Sequence, residues 1–307
     1  MYKLAFTVIH SFWNFEGTSL VLADYKISKD DIDHFDQYGY LIVRNALDDD
    51  TIQRLLDAGD RLVDSDLKQS RQTTADGLYD GFRNAITLDD AFIPLIDHPT
   101  ILPTVIQLLG ADLHVMTSHL IHKQPDPADK PETYRQPGWH RDYAMATHDL
   151  GNAAIPRMLV KCAYYLTDLT DRSKGATMVA PGSNHLLGRP EIPEGEVDPL
   201  GAVEPSLQPG DCLIFENRTF HAGAVHRGAD TRKAIMVGYG YRWVVPMDFV
   251  RQSAEFLDKL TPLQKFLVGE AFEEVAEFQF DGGRNPLKEW CREMDLPTAR
   301  HPQPQSK

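Results

Sequence analysis

The sequence predicts an α+β domain with a mainly β core and helices at both ends. Three observations predict it. Apolar residues recur at helical spacing before about residue 110 and again after residue 247. Between them lie short apolar or alternating runs separated by Gly, Pro, Asn and Asp, the punctuation of a sandwich or barrel. The composition, 42% apolar and 25% charged over 307 residues, is that of a globular chain long enough to bury a full core.

Each element has its own reason. Ser28-Lys-Asp-Asp31 fits a capping box, Ile32 and Phe35 follow on one face, and Gly39 closes that first helix. Tyr40–Val43 reads as a short strand. Asp48–Asp50 place negative charge at the start of a second helix, with Ile52, Leu55, Leu56, Gly59, Leu62 and Val63 on its buried face. A third helix spans Ile101–Leu109 and stops at Gly110. Strands are expected at Leu113–Ile121, Met158–Leu166, Thr177–Ala180, Cys212–Phe215 and Ala234–Val245, the fourth entered through the turn Pro209-Gly210-Asp211. Phe249, Phe256, Leu257, Leu260, Leu263, Phe266 and Leu267 carry the closing helical pattern. No internal repeat is present. The reading is an extension over 1–26, a single domain over 27–295 and a flexible tail over 296–307. Two long segments, Gln124–Gly138 and Gly182–Ser206, have no period and read either as lids or as surface insertions.

Charge and cysteine usage narrow the function. Lys+Arg number 31 against 45 Asp+Glu, a net charge of −14, which repels phosphate backbones and argues against nucleic-acid binding. Cys162, Cys212 and Cys291 are widely spaced and form no C-x-x-C, so neither a disulfide framework nor a structural zinc site is expected. The opening residues carry neither a signal-peptide pattern nor an apolar run long enough to span a membrane. A cytoplasmic monomer or homodimer acting on a small molecule is the expectation.

The sharpest motif is His140-Arg141-Asp142. On a strand, i and i+2 face the same way, so one imidazole and one carboxylate would share a point. A second imidazole would complete a facial set of two histidines and one carboxylate, the ligand type of non-haem Fe(II) with adjacent positions left open. An H-x-D alone arises by chance in chains of this length, so context must carry it. His221, after the strand at Cys212–Phe215 and before Ala222-Gly223-Ala224, is the best second imidazole; His119, His122, His185 and His226 read better as satisfied polar side chains. Arg232 opens a run in which Ile235, Val237, Tyr239, Tyr241 and Trp243 share one face. Arg232, Ala234, Met236, Gly238, Gly240 and Arg242 share the other, a small-residue face on which an arginine can either reach into a cavity and grip a carboxylate or simply end the strand at the surface.

These residues resemble the phytanoyl-CoA dioxygenase family. His140-x-Asp142, Val179-Ala-Pro-Gly-Ser183, Pro209-Gly-Asp211, His221 and Arg232 occur in the family's order and approximate spacing. The opening Ile32…Phe35…Gly39-Tyr-Leu-Ile-Val43 and the closing Tyr241-Arg-Trp243…Pro246-Met-Asp248 resemble it too, so the likeness covers roughly residues 27–270. The resemblance implies a double-stranded β-helix of jelly-roll or cupin-like type, buttressed by N- and C-terminal helices. It implies Fe(II) held by His140, Asp142 and His221. It implies 2-oxoglutarate gripped by Arg232, with O2 as cosubstrate and ascorbate as a stimulating reductant. It places His119 near the cosubstrate and, through Cys162-Ala-Tyr164, makes Tyr164 a further contact. Gly223 stands where the family often has serine, so a hydrogen bond is missing or comes from His119 or Thr177. Because Asp142 is present, hydroxylation or a related oxidation is implied rather than halogenation.

The substrate is read less directly. Trp139, Met145 and Met158 are expected at the pocket rim, with Arg141, Arg157 and Arg189 as charged candidates. Apolar walls with one or two arginines suit a small lipophilic metabolite carrying a carboxylate or carbonyl, as in secondary-metabolite biosynthesis. The alternatives are an acyl-CoA hydroxylase, a jelly-roll metalloenzyme without 2-oxoglutarate, which would have no need of Arg232, and a non-catalytic ligand-binding jelly roll, which would have no need of the triad.

Overall fold

Seven strands form one large antiparallel sheet whose two faces have different chemistry, and everything else is arranged around them. The computed structural model describes residues 26–151, 155–270 and 285–301. The expected extension at 1–26 lies outside them apart from Lys26.

The chain enters through α1 (Lys29–Tyr38). The Ser28 hydroxyl accepts from the Asp31 N–H, and Asp31 returns the bond, as the capping box requires. Gly39 ends the helix at φ 79°, a left-handed position suited to glycine. β1 (Tyr40–Val43) and α2 (Asp49–Val63) follow, the latter capped by Asp48. A hairpin of β2 (Arg71–Thr73) and β3 (Tyr79–Arg83) was not expected from the sequence, because its polar residues carry no apolar alternation. α3 (Leu102–Leu109) is buried all round. Next come β4 (Leu113–Lys123), α4 (Ala144–Leu150), β5 (Leu159–Tyr165), β6 (Thr177–Val179), β7 (Cys212–Glu216), β8 (His221–Gly223) and β9 (Arg232–Tyr241). β9 starts two residues earlier than the pattern predicted and stops at Tyr241, where Val244 N–H turns back to the Tyr241 carbonyl. Short helices α5 (Ala254–Asp258) and α6 (Pro262–Leu267) are separated by a second capping box at Thr261, and α7 (Pro286–Glu293) closes the chain.

The large sheet runs β1-β7-β5-β9-β4-β3-β2, and a small sheet pairs β6 with β8. Single bridges widen the small sheet, Val203 to Val179 on one side and His140 to His221 on the other. This pair of opposed antiparallel sheets is the jelly roll expected. One face of the large sheet packs on the helices through Val160, Cys162, Tyr164, Ile214, Ile235, Val237 and Tyr239. The other faces the small sheet through Ile121, Ala163, Tyr165, Leu213, Phe215, Ala234 and Met236.

One expectation fails at the C-terminal end. The tail was expected to be loose from residue 296. Instead Leu296 is buried, Ala111 N–H donates to the Thr298 carbonyl, and Arg300 pairs with Asp36. The polar composition concealed a run of backbone and ionic contacts back to α1 and α3. Residues 302–307 lie outside the described residues.

Candidate metal centre

His140 and His221 lie on neighbouring backbone rungs. Each N–H donates to the other's carbonyl at 3.0 Å, so the two rings leave the same edge of the small sheet, their centroids 4.2 Å apart. Among the described residues His140 forms only this one bridge, and the chain then bends at Asp142 before α4. The strand expected at His140–Asp142 is therefore a single rung, yet the carboxylate still reaches the imidazoles. Asp142 Oδ1 is 4.0 Å from His140 Nε2, and Oδ2 is 3.7 Å from His221 Nε2. One ligand atom from each residue lies within 4.8 Å of the others.

The rings are held in the tautomer a metal needs. His140 Nδ1 is 2.7 Å from the Gly138 carbonyl and His221 Nδ1 is 3.0 Å from that of Thr219. A carbonyl only accepts, so Nδ1 carries the proton in both rings and each Nε2 keeps a free lone pair. Burial pushes the His221 imidazole down to about 4, so it is neutral at physiological pH. Burial also pushes the Asp142 carboxyl upward, but Lys161, His221 and His140 outweigh it and hold the group below the ordinary carboxylate range. Two bare imidazole nitrogens and an ionised carboxylate make a donor set that fits Fe(II).

The centre opens into a cavity of about 400 Å³ between the sheets. Sheet register arranges the face of the large sheet on this side in rows. Tyr79, Lys123 and Arg232 lie across one row; Gly81, Ile121, Ala234 and Tyr165 across the next; Arg83, His119, Met236 and Ala163 across a third; Gly238, Lys161 and Phe215 across a fourth. Arg232 is 7% exposed and lines the cavity. It forms no ion pair among the described residues, and its Nε has no hydrogen-bond partner. A buried guanidinium without a counter-charge is costly, and a carboxylate arriving in the cavity would satisfy it bidentately. His119 and Thr177 also line the cavity; Tyr79 Oη is 2.9 Å from His119 Nε2, and Tyr165 Oη donates to Thr177 Oγ1 at 2.7 Å.

Tyr164 is a correction. It lies fully buried on the helix face, its ring against His98. Its neighbour Tyr165 is the one on the cavity side, with the Arg232 guanidinium 5.5 Å from its ring centre. The error is one residue of register, which on a strand exchanges the two faces. Gly223 also lines the cavity, and a Cβ there would collide with the Gln136 carbonyl oxygen, so the backbone leaves no room for a side chain at this position.

The expected substrate residues do not gather at the cavity. Arg157 pairs with Glu216 and Asp36 and covers the Phe35 ring. Arg141 donates to the carbonyls of Arg218, Ser183 and Leu186, tying down the turn after β6. Met158 is buried beside Gly240, while Met145 and Arg189 are exposed. Trp139 donates from its indole to Asp198. Of the two long loops, only Gln124–Gly138 reaches the cavity, through Asp126, Tyr134, Gln136 and Pro137. The sequence reading missed Lys161, Tyr165 and the β2–β3 wall with Tyr79 and Arg83. Alternation from Ala163 would have found the first two; the hairpin carries no signal of that kind. The competing histidines lie elsewhere: His185 and His226 each bond a backbone carbonyl, while His122 packs by Gly59 with its Nε2 unpartnered among the described residues.

Comparison with known proteins agrees with this architecture. The family model for phytanoyl-CoA dioxygenase (PhyH) matches residues 35–234. Dioxygenase FrzG of Cladobotryum sp is 29% identical over 141 residues, 42% of this chain, and the match spans only 44% of that relative's length. Dioxygenase cdmD of Talaromyces verruculosus is 23% identical over 266 residues, covering 78% of this chain and 83% of the relative. The crystal structure of the epimerase SnoN in complex with Fe3+, alpha ketoglutarate and nogalamycin RO superposes with a TM-score of 0.53 at 20% identity, over 69% of this chain and 83% of that one.

Proposed function

The chain belongs to the phytanoyl-CoA dioxygenase family, and from that premise we propose that it is an Fe(II)- and 2-oxoglutarate-dependent dioxygenase that oxidises an unactivated C–H bond of a small lipophilic metabolite. The overall change converts substrate, 2-oxoglutarate and O2 into oxidised product, succinate and CO2. The observation that carries this reading is Arg232, a buried cation that forms no ion pair among the described residues and lies in the same cavity as the His140–Asp142–His221 cluster. A jelly-roll metalloenzyme that made no use of 2-oxoglutarate would have no use for it.

Each residue has a defined task. His140, Asp142 and His221 would hold the iron by one face. Arg232 would bind the distal carboxylate of 2-oxoglutarate, with Tyr165 beneath the guanidinium and Thr177 bonded to Tyr165. His119, its pKa pushed well down by burial and by Arg83, Lys161 and Arg232, is a neutral hydrogen-bonding group in that wall. The iron, when bound, would activate O2, the oxidant; the protein orients the organic partners and excludes water. Ile121, Phe215, Met236, Leu78 and Pro137 give the cavity an apolar lining suited to a lipophilic substrate, as in secondary metabolism. An acyl-CoA would need a basic cleft for its phosphates, which a net charge of −14 does not favour.

We place the activity in one domain over residues 27–295, acting as a monomer or homodimer in the cytoplasm without nucleic-acid partners. Among the described residues no helix is long and apolar enough to cross a membrane. The test is anaerobic titration of the Fe(II)-loaded protein with 2-oxoglutarate. A visible metal-to-ligand charge-transfer band is expected, and Arg232→Ala should displace its midpoint to higher concentration. Absence of the band in the unaltered protein would overturn the reading.

A further inference from the structure

Lys161 lies inside the cavity, in the middle of β5, on the sheet row shared with Gly238 and Phe215. Its side chain is 15% exposed, and its ammonium lies 2.6 Å from Asp142 Oδ2 and 5.8 Å from the Phe215 ring centre. The neighbours along this face of the strand are Ala163 and Tyr165, packed against the small sheet. A lysine in such a place costs desolvation, and a buried ion pair returns little net stability compared with an apolar residue of the same size. The charge is therefore poorly explained by the fold alone. Its partner oxygen belongs to the one carboxylate of the metal cluster.

Both carboxylate oxygens border the imidazoles, Oδ1 at 4.0 Å from His140 Nε2 and Oδ2 at 3.7 Å from His221 Nε2, and the Lys161 ammonium competes with a cation for Oδ2. A carboxylate can offer a metal one oxygen or two, and the choice fixes how many positions remain for other ligands. We propose that Lys161 is a positioning residue that limits Asp142 to one donor oxygen, keeping Oδ2 for its own ammonium and leaving Oδ1 to the cation. The proposal rests on the iron reading above and says how that same centre is kept open. An aspartate held in this way occupies one position, so places remain for the 2-oxo acid and O2. The ammonium also offsets part of the carboxylate charge, so the divalent ion is bound less tightly than a free aspartate would bind it. Lys161 thus gives up metal affinity and gains cosubstrate affinity.

The two effects have opposite signs, and a residue that merely supports the fold would produce neither. Mn(II) affinity is read from the free-ion electron paramagnetic resonance signal, and 2-oxoglutarate affinity for the Mn(II)-loaded protein by calorimetry, so no turnover is needed. Lys161→Met is expected to bind Mn(II) about tenfold tighter and 2-oxoglutarate about tenfold more weakly, the size of effect usual for residues that orient metal ligands. Lys161→Arg, which keeps both charge and donor, should stay within about threefold of the parent on both measurements. Lys161→Gln loses the charge but can still donate to Oδ2; it should tighten Mn(II) while leaving 2-oxoglutarate within about twofold, and it carries the test if the methionine variant does not fold. Unchanged or weaker Mn(II) binding in both neutral variants overturns the assignment, as does 2-oxoglutarate binding undiminished in Lys161→Met. If the parent protein binds no Mn(II) or Fe(II), the iron reading itself falls; if it binds and the variants do not move, only the role of Lys161 falls.

Discussion

The two faces of β5 and β9 belong to the same strands and do different work. Toward the helices, Val160, Cys162, Tyr164, Ile235, Val237 and Tyr239 form a continuous apolar surface. Toward the small sheet, Lys161, Tyr165, Arg232 and Met236 alternate with Ala163, Ala234 and Gly238, and Lys161, Arg232 and Met236 line the cavity. Adjacent residues thus differ in kind: one is bought by packing and its neighbour by chemistry. The difference teaches that position parity along a strand is a functional coordinate here, and that losing it by one residue trades a core side chain for a site residue.

The separation of the faces can be broken most directly at the tyrosine pair. Tyr164→Ala removes a fully buried ring and should destabilise the fold by about 3–5 kcal/mol, as large-to-small core substitutions do. Urea unfolding would show it, while the KM for 2-oxoglutarate stays that of the parent. Tyr164→Phe should cost almost nothing, since its hydroxyl has no partner among the described residues. On the opposite face, Arg232→Ala should weaken 2-oxoglutarate by about 2–4 kcal/mol with little change in unfolding midpoint. A large loss of stability in that variant would mean that the arginine serves the fold.

Acid sharpens the same contrast on β4. His122, on the helix side, has its pKa pushed to about 4 by burial and by the neighbouring Lys233. The folded value is below the unfolded one, so the stabilisation is complete above the unfolded value near 6.5 and is lost as pH falls toward 4. Between pH 7 and pH 5 the loss should be about 2 kcal/mol from this residue. His122→Gln should flatten the pH dependence of the unfolding free energy by that amount, and an unchanged slope would mean that His122 already carries its proton when folded. A smaller effect is expected at Tyr165→Phe, which removes the bond to Thr177 and should cost about 1 kcal/mol in 2-oxoglutarate affinity. An equal effect from Tyr164→Phe would erase the distinction between the faces.

Much of this was legible before any coordinates. Capping chemistry at Ser28 and Asp48, the turn glycine Gly39, and alternation through β9 each report a local energy, and local energies are written in adjacent residues. The triad was legible because H-x-D and a later histidine occur in the order of a known family. The cavity wall was not. Arg141, Arg157 and Arg189 look alike in one dimension, but the first two are consumed by backbone carbonyls and by the acids Asp36 and Glu216, partners far away in the chain. The hairpin of β2 and β3 carries polar residues on both faces because one face borders the cavity, which removes the alternation that announces a strand. The tail at 296–300 is held largely through its main chain, and main-chain bonds leave no compositional trace.

The reciprocal rung between His140 and His221 has a mechanical consequence. It joins the end of a long crossing segment to the rim of the small sheet, and it is the only backbone pairing His140 has among the described residues. A cation seated on both imidazoles would act as a rivet through that seam, so filling the centre and shutting the roof of the chamber would be one event. Stripping the metal should let the seam breathe, and the residues just ahead of His140 should then be the first place where a protease finds purchase.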